Sequence, residues 1–119
     1  MISEKLSSQL KAKLREMLRI SDLEQAEIAG YFCVKDDEIV SMKIMSIGDA
    51  KSTSFDFGKV CPKGTIQFSF HTHPAVGGGV PDFSKTDIKT INSRLEYGID
   101  DASCMVSDVG IICRISRLD

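Results

Sequence analysis

The sequence contains no apolar run approaching the ~20 residues a membrane-crossing helix needs, so no membrane partner is expected. Neither charge is in surplus: 15 Lys and Arg stand against 17 Asp and Glu, a formal net charge of −2. A nucleic-acid-binding surface normally shows as a basic patch or stripe, so no nucleic-acid partner is expected either. There is no internal repeat, low-complexity segment or linker, and the 119 residues read as a single domain, 1–119, with one hydrophobic core. No C-x-x-C pair occurs among Cys33, Cys61, Cys104 and Cys113. Each lies in or beside an apolar segment, and the expectation is four reduced, mostly buried thiols acting as small hydrophobes. One or two disulfides would suit a hyperthermophilic source, but their pairing is not readable from sequence. The N-terminal MISEKLSSQLKAKLREM is charged and amphipathic and lacks the apolar block of a secretory signal; the expectation is a cytoplasmic protein.

What is present is an ordinary globular pattern. Leu6, Leu10, Leu14, Met17 and Leu18 recur at three- and four-residue spacing, which predicts a helix from about Ser3 to Leu18, with Ser3 as N-cap. The pattern changes after Ser21-Asp22. Ile28 to Val34 and Ile39 to Met45 read as two strands of a hairpin turning at Lys35-Asp36-Asp37. A short strand fits Ser54 to Phe57, and Thr65 to Phe70 forms another that runs into His71. A Gly/Pro loop follows over residues 74–82. A second helix spans about Ser84 to Tyr97 and stops at Gly98. Ala102 to Val106 and Gly110 to Ile115 read as a closing pair of strands. Too little helix lies between neighbouring strands for a doubly wound parallel sheet. The expected class is α/β, a mixed β-sheet flanked by helices.

The informative stretch begins at Phe70-His71-Thr72-His73-Pro74 and ends at Phe83-Ser84-Lys85-Thr86-Asp87. Alternate side chains of a strand share a face, so His71 and His73 converge while Thr72 points away, and Pro74 ends the ladder. These are the only two histidines in the chain. A hydrolytic zinc site usually has three protein ligands and leaves the fourth position for water. Asp87 is the best third ligand. With Ser84 as N-cap it is the third helical residue, and a Phe83–Ile88 staple would fix how the chain enters the helix. Taken alone, Ser84-x-x-Asp87 is more often a cap than part of a site; the histidine pair tips the balance.

In order and separation, His71-x-His73-Pro74 followed by Ser84-x-x-Asp87 resembles the signature of the JAMM/MPN+ metalloprotease family. Glu27-Ile28-Ala29-Gly30-Tyr31-Phe32 is similar to that family's Glu-x-x-Gly motif. The resemblance covers about residues 4–116 and implies the cytidine-deaminase-like MPN fold. It further implies Zn2+ on His71, His73 and Asp87, with Glu27 as general base and then acid, and Ser84 donating to the tetrahedral oxyanion. Thirteen residues separate His73 from Asp87, more than the family usually has. Removing Gly77, Gly78 and Gly79 restores the usual spacing but leaves Asp82 as a competing acid. The implied substrates are conjugates of a ubiquitin-like or sulfur-carrier protein, handled by a minimal prokaryotic, archaeal or viral type of isopeptidase. A nucleobase deaminase would need His-x-Glu and Pro-Cys-x-x-Cys, which are absent. The competing readings are an inactive MPN-type scaffold and a RadC-like DNA-associated protein.

Overall fold

The computed structural model describes residues 3–49, 57–78 and 82–115. Its order is α1 (Glu4–Glu24), β1 (Ile28–Lys35), β2 (Glu38–Ile47), β3 (Ile66–Thr72), a 3-10 turn (Ala75–Gly77), α2 (Lys85–Glu96), β4 (Ala102–Ser107) and β5 (Gly110–Ile115). The strands form one mixed sheet in the order β2-β1-β3-β4-β5. Only β3 and β4 are parallel; the other neighbours are antiparallel. That one parallel pair is why the chain must cross over between them, and α2 lies on the crossover.

The α1 stripe packs as its spacing predicts. Leu6, Leu10, Leu14 and Met17 are buried with Ile28, Phe32, Phe68, Phe70, Ala102 and Val106 in the main core. Ser3 is the N-cap, its hydroxyl accepting the Leu6 amide at 3.1 Å. The helix runs on to Glu24, past the Leu18 end and the Ser21-Asp22 break expected. It ends through Gln25 in the left-handed region (φ 55°), with Ala26 N–H bonded to Ser21 O and Gln25 N–H to Asp22 O. This is the paired closure that usually employs glycine, and Gln25 gives no such signal.

The other face of the sheet is more polar. Residues of β3 alternate: Phe68, Phe70 and Thr72 face α1, while Gln67, Ser69 and His71 face the side covered by α2. There Phe83, Ile91 and Met105 make a second, smaller cluster, joined by Ile88 and Leu95. Phe83 and Ile88, the residues of the expected staple, both belong to this cluster. Gly30 is needed where it stands, because a Cβ there would lie 2.1 Å from Lys43 O and 2.9 Å from the Phe70 ring.

The reduced-thiol expectation is corrected. Cys33 is bonded to Cys61, and Cys104 to Cys113. Cys104 and Cys113 are direct register partners of β4 and β5, while Cys33 ties β1 to the segment preceding β3. Disulfides persist mainly in oxidising compartments and in the cytosol of hyperthermophiles, so they weigh against the cytoplasmic expectation for other sources. The strand expected at Ser54 to Phe57 falls largely outside the described residues; Phe57 itself is in no strand. Among the described residues no helix is long and apolar enough to cross a membrane.

Candidate metal centre

The site lies where β3 ends. His71 and His73 share the α2 face, and both are buried. His71 is the register partner of Ala29 on β1 and of Met105 on β4, so it sits mid-sheet. His73 follows the last strand residue and is held by its amide, which donates to Val106 O at 2.9 Å.

Asp87 reaches the pair from α2, whose inner stripe reads Asp87, Ile91, Arg94. Both ends of the helix are pinned to the sheet. At the far end the Arg94 guanidinium donates to Asp100 at 2.6 and 3.1 Å and to Phe57 O at 2.6 Å. Gln67, in the same β3 row as His71, donates to Asp100 at 3.0 Å. At the near end Ser84 and Asp87 form a reciprocal capping box, each side chain accepting the other's amide at 3.0 Å. The capping reading of Asp87 holds, and the same Oδ2 faces both histidines, so the cap does not take the carboxylate away from them.

His71 Nε2 and His73 Nε2 are 3.1 Å apart, and Asp87 Oδ2 is 3.3 Å from each. Four ligands about 2.0–2.1 Å from a tetrahedral zinc stand about 3.3–3.4 Å from one another. The three atoms thus outline one face of such a tetrahedron with little adjustment. The donor chemistry fits as well. Burial lowers the His71 pKa, and the hydrogen bond and charge of Asp87 offset this only in part, leaving the neutral imidazole that binds metals. Burial also acts to raise the Asp87 pKa, but hydrogen bonds from His71 and His73, and from the Ser84 amide, outweigh it and hold the carboxyl far below its usual range. Two imidazole nitrogens and one carboxylate oxygen suit a divalent cation of zinc type.

Glu27 lies between α1 and β1 and is buried. Continuing the Ala29–His71 pairing by two residues sets it across from His73. Burial pushes its carboxyl up to about 7; His73 offsets this, while Asp87 and Asp49 add to it. A carboxylate near neutrality suits a group that takes a proton and gives it back. Ser84 is exposed, and its oxygen accepts the Asp87 amide. Accepting uses a lone pair, so the hydroxyl proton is not consumed by the cap. Asp82, the competing acid, instead accepts the Phe83 amide at 2.7 Å and is not part of the three-residue cluster.

Two supporting networks escape a sequence reading. One is Arg94–Asp100–Gln67, which links the end of α2 and the loop after it to β3, far earlier in the chain. The other is a buried pair of hydroxyls, Thr72 and Ser21, 2.6 Å apart. A polar residue in the apolar row Phe68, Phe70, Thr72 was the available signal for the second. Compared with protein-family models and with curated proteins, the chain matches none.

Proposed function

We propose that this protein is a zinc-dependent metallohydrolase that cleaves peptide or isopeptide bonds at the C-terminal tail of a ubiquitin-like or sulfur-carrier protein. The observation that carries the metal assignment is the triangle of His71 Nε2, His73 Nε2 and Asp87 Oδ2, with sides of 3.1, 3.3 and 3.3 Å. The substrate class rests on resemblance of the ordered motifs Glu27-x-x-Gly30, His71-x-His73-Pro74 and Ser84-x-x-Asp87 to JAMM/MPN+ proteases.

When bound, a zinc ion would supply Lewis acidity that lowers the pKa of water toward neutrality and polarises a carbonyl. His71, His73 and Asp87 would hold it with a net ligand charge of −1. Glu27 takes the proton of the attacking water and delivers it to the leaving amine. Its raised pKa makes both transfers accessible near neutral pH. Ser84 donates its hydroxyl proton to the oxyanion, a contact stronger in the transition state than in the ground state. As the resemblance implies, an extended substrate tail would bind by strand addition.

Metal analysis tests the reading. Purified protein is expected to carry close to one zinc per chain, and His73→Ala or Asp87→Asn to lose it. Glu27→Gln is expected to keep the zinc but no longer to hydrolyse a modifier fusion. Equal processing by wild type and Glu27→Gln rejects the enzymatic reading, even with metal bound.

A further inference from the structure

Thr72 lies between the two histidines in sequence but faces α1, where it is fully buried. Its oxygen accepts the Ile28 amide at 2.9 Å. It also pairs with Ser21 Oγ at 2.6 Å, and Ser21 Oγ bonds in turn to the Ala26 carbonyl. The direction of this chain is fixed by its ends. An amide can only donate and a carbonyl can only accept, so Ile28 N–H donates to Thr72, Thr72 to Ser21, and Ser21 to Ala26 O. Each hydroxyl spends its one proton and accepts one bond.

Ala26 and Ile28 are the residues on either side of Glu27. The Glu27 backbone is held separately: its amide donates to Asp49 O at 2.7 Å and its carbonyl accepts from Gly48 at 2.8 Å. Those bonds tie Glu27 to the segment after β2, away from the histidines. The hydroxyl chain is a different link. It anchors both flanks of Glu27 to the residue covalently placed between His71 and His73.

We infer that Thr72 and Ser21 are positioning residues that fix Glu27 in register with the histidine pair. This rests on the reading of Glu27 as the proton carrier. The reason for a hydroxyl pair here is geometric. Glu27 precedes the first residue of β1, at the end of its ladder with β3, and a small misplacement of a proton-transfer group costs about 10²-fold in rate.

The test compares Thr72→Val, Thr72→Ser and Ser21→Ala in the full chain. Valine keeps the shape and removes the hydroxyl, whereas serine keeps the hydroxyl and removes a methyl. Thr72→Val is expected to hold about one zinc per chain and to lose about 10²-fold in kcat with KM little changed. Thr72→Ser returns kcat to within a few-fold of wild type, and Ser21→Ala falls in between. Amide hydrogen exchange on the zinc-free protein gives a readout independent of turnover: Ile28 exchanges faster in Thr72→Val and is protected again in Thr72→Ser. Wild-type kcat in Thr72→Val, equal loss in Thr72→Ser, or unchanged Ile28 exchange each overturns the inference. If Ile28 responds as stated but wild type cleaves no fusion, the hydrolase reading fails and takes the positioning role with it, while the hydroxyl chain itself survives. Should Thr72→Val fail to fold, Thr72→Ser and Ser21→Ala carry the same comparison.

Discussion

Asp87 and Arg94 stand two turns apart on the inner stripe of α2, and each is tied to the same row of β3. Asp87 meets His71 directly, and Arg94 reaches Gln67 through Asp100. The Asp87 end of the helix is thus set partly by a buried ion pair at its other end. Removing one member of a buried pair leaves the other charge uncompensated, at a cost of about 3–5 kcal/mol. Arg94→Met is expected to lower stability by about that much, read as a shift of the urea midpoint. It should also weaken zinc binding, read by competition with a chelator. Unchanged zinc affinity in a folded Arg94→Met protein rejects the link between the two ends.

Glu27 makes the metal-free protein sensitive to pH. Its carboxyl rises from 4.5 to about 7 on folding, so between those values the folded state binds more protons than the unfolded state. Stability from this group is fully present below pH 4.5 and is lost as pH rises through about 7. Glu27→Gln removes that loss. In chelator-treated protein the melting temperature of Glu27→Gln, relative to wild type, is expected to climb from pH 4.5 to pH 8. A constant difference over that interval contradicts the raised carboxyl.

Gly30 has no room for a side chain between Lys43 O and the Phe70 ring. The backbone oxygen cannot turn aside as a side chain would. Gly30→Ala is expected to destabilise by about 1–3 kcal/mol, the usual range for overpacking, as seen in chemical denaturation. A neutral result shows that β2 shifts away at little cost.

The disulfides contribute according to the loops they close. Cys33–Cys61 spans 28 residues and Cys104–Cys113 spans 9. Loop-entropy arguments give about 3–4 kcal/mol for the first and about 2–3 for the second. Reduction is expected to lower the denaturation midpoint, and Cys33→Ser/Cys61→Ser is expected to lower it more than the corresponding change at Cys104 and Cys113. The reverse order counts against the loop account.

The candidate site was legible because its signals are local. His71 and His73 are two apart on a strand, and Asp87 is fixed to Ser84 by a one-turn cap, so spacing put the imidazoles on one face and the histidine pair favoured Asp87 as their partner. The strands were legible from local signals too, with Gly110 to Ile115 falling where the closing pair of strands was expected. What was hidden depends on partners distant in sequence. Cys33 gives no hint that Cys61 will stand 5.5 Å from it, Cα to Cα, and Arg94 looks like any basic residue near a helix end. The end of α1 was hidden by chemistry, because Gln25 occupies a left-handed position that glycine would have advertised.

The parallel pairing of β3 with β4 also decides where the chain can change length. Because the connection must leave the end of β3 and return to the start of β4, the imidazoles stand at its departure and Asp87 in the first turn of the helix it carries. Gly77 and Gly78 lie in the loop between His73 and Asp87, outside every strand ladder, so a change of length there leaves the strand alignment untouched. Loop length and sheet register are thus independent variables in this fold.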